Sequence, residues 1–409
     1  MHLPYATNGD LTLRIARDPY RTVSRIAGKL EADAFHGKLM LADTVFLTGP
    51  DCARVFYGEG MIRAGAAPSF LKMTLFGDSG IQSLDEAEHE KRKAMFMSFM
   101  DKGAPDRIAA QVAKALDDLA RKSPDRLCVQ DEMERILTRV ACDFAGVPLS
   151  EDDVEGRTRM LSALFEHAAP IRPTFLAAVA NRKRANTWAA NLISGARSGA
   201  ITPPRGSALE EIASYRTVDG APLSREVAAV ELVNVVRPIV AVSCYLTFCA
   251  HAVATNENGW EAVHDRPQSF VQEVRRHYPF FPLVAAKTGR ELDIGGETIA
   301  PDTRVVLDLY GTNHDARLWD DPMMFRPRRF DDRKIDPFDL IPQGGGDHHA
   351  GHRCAGEWVT IAIMRAFTDW LTRIDYRRPK QDLDLAMSRL PALPESRMIW
   401  ENVSLRQPA

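Results

Sequence analysis

Two stretches of this sequence set unusual chemistry among apolar residues. In VVRPIVAV, residues 235–242, Arg237 and Pro238 interrupt the most apolar segment of the chain. A buried guanidinium needs an anion, because an unpaired charge in such surroundings is expensive. Carboxylate fits best, since the planar guanidinium fork matches its two oxygens. No acid adjoins Arg237, and Glu231 lies on a different helical face. The anion is therefore expected from outside the chain. Pro238 removes one amide and crowds the carbonyl of Asn234, so a helix through it should kink there.

The second stretch is IPQGGGDHHAGHRCAGEWVTIAIM, residues 341–364. Gly344, Gly345 and Gly346 permit backbone conformations closed to other residues. Cys354 stands just before a helical pattern, where aligned amides favour a thiolate. Gly356 would let the helix start approach something flat and bulky. Read alone, Cys354 is equally compatible with a free thiol at a helix cap. His348, His349, His352 and Cys354 also have zinc-binding chemistry, but their spacing matches no common zinc pattern. In EVRR, Glu273 and Arg276 share a helix face at i, i+3. In FRPRRF, Arg329 could join them. Taken alone, such a pair reads as an ordinary surface ion pair.

These residues need elements to position them. A helix near 18–32 precedes a hairpin over 33–47. Helices are expected at 86–100, 106–122, 131–144 and 151–167. The segment 182–217 is basic, then rich in Gly, Pro and Ser, and reads as a helix end followed by a surface loop. Ser224 is a candidate N-cap for a long helix reaching about residue 254. Another helix covers roughly 257–278. Short β signals follow in VAAKTG, ELDIGGETI and RVVLDL. Residues 315–347 look irregular, and a last amphipathic helix runs from about Cys354 to 374. The total is mainly α with a minor β portion. No linker divides the chain, so residues 1–409 are expected to form a single domain.

Composition narrows the function. The 52 Lys+Arg against 55 Asp+Glu give a formal charge of −3, which argues against a nucleic-acid binder or a polybasic membrane anchor. The 6 cysteines are scattered, with no CxxC pair, which points to a reducing cytoplasm. The N-terminus lacks a signal-peptide pattern. The polar residues Glu231, Asn234, Arg237 and Pro238 argue for a core helix over a membrane span.

Together these residues resemble the cytochrome P450 family. Its Glu-x-x-Arg motif matches Glu273 and Arg276. Its Pro-x-Arg-Phe motif matches Pro327, Arg329 and Phe330, and its haem loop, ending Cys-x-Gly, matches Cys354 and Gly356. There are departures. The loop opens with Pro342, Gln343 and glycines in place of Phe-x-x-Gly. The long helix lacks the acid–alcohol pair that delivers protons to bound oxygen in ordinary members, and Arg237 and Pro238 stand in its place. That substitution, with VELVNVVRPIVA, FVQEVRR, VVLDLYGTNHD, PQGGGDH and LPALPES, is similar to the fatty-acid peroxygenase branch.

The resemblance implies a cytochrome P450 fold, with haem between a long distal helix and a proximal Cys-loop helix. It implies Cys354 as axial thiolate of haem b, and His89, Lys93, His352 and Tyr310 as further cofactor contacts. Arg237 and Pro238 become the catalytic pair, with Glu273, Arg276 and Arg329 structural. Arg237, Gln82, Phe76 and Phe281 would contact substrate, with Leu75, Leu164, Phe165 and Phe280 as further channel candidates. Hydrogen peroxide would be the oxidant and a long-chain fatty acid the substrate, with no redox partner. The substrate carboxylate, held by Arg237, would act as general acid–base. Gln82 favours hydroxylation, since decarboxylating relatives tend to carry histidine there. The FFP run favours the α carbon over β. Two rivals stand beside this reading: a redox-partner-dependent monooxygenase, and a non-catalytic haem sensor of fatty acids or gases.

Overall fold

Ser224 caps the distal helix as its position suggests, its side chain accepting from the Val227 amide at 3.1 Å. In the computed structural model, which describes residues 2–100, 103–168 and 173–406, that helix spans Arg225–Ala241. It does not continue unbroken to residue 254. Pro238 has no amide to give the Asn234 carbonyl, and Val242 then bonds back to Ile239 at 3.2 Å. A second helix starts at Ser243 and ends at Thr255. Taken together, Arg225–Thr255 is long and apolar enough to cross a membrane, but 89% of its most apolar window is buried inside the protein. It is a core element.

The helix Glu86–Met100 has the expected bounds, and Ala104–Arg121, Val129–Ala145 and Val154–Glu166 match theirs closely. Two expectations change. The basic segment belongs to a 24-residue helix, Phe175–Ser198, and the loop after it contains another, Ala208–Ser214, capped by Ser207. The helix expected near 257–278 is two, Gly259–Asp265 and Pro267–His277, because Pro267 cannot continue a helix but starts one well.

The hairpin over 33–47 forms from Ala34–Leu39 and Ala42–Leu47. It sits in a six-stranded sheet ordered Tyr5–Asp10, Ala34–Leu39, Ala42–Leu47, Arg304–Asp308, Leu283–Thr288, Met61–Ile62. The first strand was not foreseen. Nor was a three-stranded sheet of Ile374–Arg377, Ile399–Leu405 and Arg126–Cys128. The largest core cluster runs through the helices and includes Val233, Val236, Val240, Phe270, Ile363 and Phe367. The distal helix and the proximal helix Glu357–Thr372 therefore share one core.

Candidate active site

The proximal loop is built on glycine. Gly344 and Gly346 have φ of +91° and +80°, and a Cβ on Gly345 would meet Ile341 and the Pro337 carbonyl at 2.8 Å. The loop closes where the Cys354 amide bonds the Gln343 carbonyl at 3.0 Å. Gly356 caps the proximal helix, and a Cβ there would touch only Cys354 Sγ and Met100 Sδ, each at 4.0 Å. Buried ion pairs hold the loop: Glu357 binds Arg275 and, at 2.5 Å, Arg353. Lys93 Nζ donates to the Arg353 carbonyl. The Arg275 anchor was missed in the sequence, although the doubled arginine of EVRR was its signal.

Behind this loop Glu273 and Arg276 are wholly buried and joined by two bonds, at 2.7 and 2.8 Å. Arg329 completes the set, donating to Glu273 at 3.2 Å. Arg276 also donates to the Asn313 and Pro322 carbonyls, at 3.0 and 2.9 Å. This is no surface ion pair. It pins the irregular segment onto the helix Pro267–His277.

Cys354 is half-buried at the end of this loop. Burial pushes its thiol up from the ordinary value, outweighing Lys93 and the helix start. The helix terminus alone therefore does not make a thiolate; a metal cation would. His89 and His352 come together in the stack the sequence could not show, with ring centroids 3.8 Å apart. Burial holds both below the ordinary histidine value. His352 Nε2 lies 3.7 Å from Asp85. Arg63, also missed, is buried over the Phe56 ring at 4.2 Å and lies within electrostatic reach of both histidines. Tyr310 is not brought into this group. Its ring packs against Tyr20 and His314, with centroids at 5.4 and 4.1 Å.

The residues present fit a haem better than a bare metal ion. Among the described residues no group of three His, Cys, Asp or Glu could hold a metal. His348, His349, His352 and Cys354 do not converge: His352 stacks on His89, while His348 packs against Trp358 at 5.7 Å. A single thiol suffices only for a metal that brings its other ligands with it, as iron does in a porphyrin. Glycine at 356 leaves the face beside Cys354 open for a flat group.

Arg237 is buried on the distal helix at 8% exposure. Its Nε has no partner, and no hydrogen bond or ion pair from its guanidinium is found among the described residues. Burial, together with Arg182, pushes it down to about 9, and it lies within electrostatic reach of Cys354. The nearest acid on its own helix is committed elsewhere: Glu231 pairs with Arg92 at 2.5 Å, both buried. Asn234 links that pair to the neighbouring wall, donating to Glu231 at 3.4 Å, Gln82 at 3.3 Å and the Phe76 carbonyl at 3.0 Å. Gln82 is thus tied to the helix turn preceding Arg237. Arg92 was not singled out in the sequence, and Asn234 was named only for its carbonyl and its polarity, since the side-chain partners of a mid-helix Arg or Asn carry no pattern. Leu75, Leu164 and Phe165 are core residues, whereas Phe76, Phe280 and Phe281 are partly exposed. Phe281 packs between two core clusters.

Residues 266–373 match the family model described as Cytochrome P450. Across the whole chain the fold is similar to solved structures. One is a mutant of cytochrome P450SP alpha, 40% identical, with a TM-score of 0.92, covering 98% of this chain and 100% of that one. Another is cytochrome P450EX alpha with myristic acid, 35% identical, TM-score 0.96, covering 99% and 100%. A third is cytochrome P450 OleT in complex with arachidonic acid, 32% identical, TM-score 0.95, covering 100% of both. Among curated proteins, Cytochrome P450 71D18 of Mentha gracilis is 32% identical over 134 residues, 31% of this chain and 26% of the relative. The match thus spans about a quarter of that relative's length.

Proposed function

The chain belongs to the cytochrome P450 family, in its fatty-acid peroxygenase branch, and on that premise we propose that it hydroxylates long-chain fatty acids with hydrogen peroxide. The carbon α to the carboxylate is the proposed position, with β as the alternative. One observation carries the reading: Arg237 is a buried cation with no anion of its own among the described residues. A fatty-acid carboxylate completes it in a two-bond fork.

Cys354 would hold the iron of haem b through its sulfur. His89, stacked on His352, and Lys93, bonded to the Arg353 carbonyl, adjoin the Cys354 loop and would meet the haem propionates. Tyr310 is no longer assigned there. When bound, the haem supplies the iron centre at which peroxide is reduced and the substrate C–H bond oxidised.

The chain's own residues do the positioning. Arg237 holds the carboxylate beside the reacting centre, so that the carbons next to it, and not the tail, are presented. The distal helix offers no free acid near Arg237: Glu231 is neutralised by Arg92, and Glu226 sits in the exposed first turn of the helix. The held carboxylate is therefore the proton acceptor and donor of the site, the group the helix lacks. Pro238, next to Arg237, leaves the Asn234 carbonyl without its helical partner, and the helix gives way about one turn later at Val242. Gln82, anchored by Asn234, borders the head group without adding an acid or base. Phe76 and Phe281 would line the tail. Glu273, Arg276 and Arg329 keep the thiolate loop in place. The shared core supports reading residues 1–409 as one domain, and we place the protein in the cytoplasm, working without a redox partner.

The test is mass spectrometry of products from myristate and hydrogen peroxide, with Arg237→Ala beside the parent protein. Hydroxymyristate is expected from the parent and a loss of at least about 100-fold in the variant, the scale of removing one partner of a buried charge pair. Undiminished product from the variant would overturn the mechanism.

A further inference from the structure

The basic stretch after residue 181 looks solvent-facing in sequence, yet Arg182 is only 3% exposed. It lies on the helix Phe175–Ser198 and finds no carboxylate. Its guanidinium donates instead to three backbone carbonyls at the end of a π-helical turn, Lys72–Phe76. These are Leu75 at 2.7 Å and Thr74 and Phe76, each at 3.4 Å. Its Nε is buried without a partner. The Phe76 carbonyl also accepts from Asn234 at 3.0 Å. Asn234 stands about one helical turn before Arg237. A single carbonyl thus ties Arg182 to the part of the distal helix that carries the carboxylate anchor. Gly77, with φ +74°, keeps this contact possible, because a Cβ there would collide with Arg182 Nη2.

The charges around this carbonyl do not balance. Carbonyl oxygens accept from the two Nη groups of Arg182 but carry no net charge. The buried acid nearby, Glu231, is already matched by Arg92. Asp78 is exposed, where water screens it. Two buried guanidiniums, Arg182 and Arg237, therefore lie within electrostatic reach of each other, and neither makes an ion pair among the described residues. Their mutual repulsion is part of what lowers Arg237. A bound carboxylate would relieve it.

Resting on the reading of Arg237 as carboxylate anchor, we infer that Arg182 is the second cation of the acid-binding site. It is a positioning and specificity residue that touches no substrate. Its charge selects an anionic head group from behind the wall, and its hydrogen bonds hold the Phe76 segment against the distal helix. Arg237 supplies the contact, and Arg182 supplies a field that a neutral head group cannot use.

The test compares two ligands of the haem-loaded protein: myristate and the primary alcohol of the same chain length, each titrated spectroscopically. The quantity read is the ratio of their dissociation constants. Arg182→Gln removes the charge but keeps a donor for the Leu75 carbonyl, while Arg182→Lys keeps the charge. The preference for acid over alcohol should fall about tenfold in Arg182→Gln, the order expected from a charge acting beyond contact in a partly desolvated site. It should stay near the parent value in Arg182→Lys. A merely structural role would weaken both ligands together and leave the ratio unchanged, which overturns the inference. A ratio lost in Arg237→Ala but kept in Arg182→Gln overturns it alone. A ratio kept in Arg237→Ala overturns the anchor reading, and this inference with it.

Discussion

Two buried arginines on facing elements show how differently one residue type behaves once its partner is known. Arg92 has Glu231 at 2.5 Å, whereas Arg237 has no anion among the described residues. Their substitutions should therefore diverge. Glu231→Gln strands Arg92 and should destabilise the ligand-free protein by about 3–5 kcal/mol. Arg237→Met removes an uncompensated charge and should stabilise the ligand-free protein by about 1 kcal/mol or more, while abolishing acid binding. Denaturant midpoints of the two variants decide this; a destabilised Arg237→Met would mean that the protein itself supplies the missing anion. Titration follows from the same burial. Arg237 is pushed down to about 9, and its charged form is the one that binds carboxylate. Acid affinity should be level below about pH 8 and fall about tenfold per pH unit above 9, since binding then requires protonation. Affinity level to about pH 11 would show that the guanidinium keeps its proton.

At the scale of elements, the distal wall is a helix interrupted to serve its neighbour residue. Pro238 leaves the Asn234 carbonyl without its helical partner; the helix runs on to Ala241, turns at Val242 and gives way to a second helix at Ser243. Pro238→Ala restores that amide. It should stabilise the helix by up to about 3 kcal/mol and join the two segments. Turnover should fall several-fold as Arg237 is re-aimed. Thermal unfolding and steady-state rates measured together test this; unchanged turnover in a stabilised variant would show that the interruption has no part in aiming Arg237. The proximal element is rigid by contrast. Glu357 is clamped by Arg275 and Arg353, and Gln343 ties the loop to Thr360 at 3.1 Å and to the Cys354 amide.

For the whole molecule, the proposed function ties the choice of oxidant to the missing acid. A dioxygen route fed by electrons needs protons delivered through the distal wall, and the Glu231 carboxylate there is locked to Arg92. Peroxide arrives already reduced and carrying its protons. Turnover of myristate should therefore proceed with peroxide alone, and adding a reductase, a ferredoxin and a nicotinamide donor should not raise the rate. A rate that rises with those donors, with catalase present to remove peroxide, would return the protein to the redox-partner class.

Much of this was legible in the sequence because it rests on local chemistry. A glycine run before a cysteine, an i, i+3 Glu–Arg pair, a serine ahead of an apolar run and a proline inside it each act through near neighbours along the chain. Ser224 and Pro238 could be read for that reason. So could the lone Arg237, since a charge among Val and Ile announces its own cost. Cys354, Glu273 and Arg276, ambiguous on local chemistry alone, were placed by the family resemblance. What the sequence could not supply were partners distant in the chain. The Arg92–Glu231 pair, the His89–His352 stack, the Arg275–Glu357 clamp and the placing of Tyr310 beside Tyr20 join segments far apart in sequence. Arg182 is the sharpest case. Its sequence context, a run of basic residues, is that of a solvated face, and only the packing of its helix on the π-helical turn buries it. Burial and charge balance are sums over everything nearby in space, and the chain order does not contain that sum.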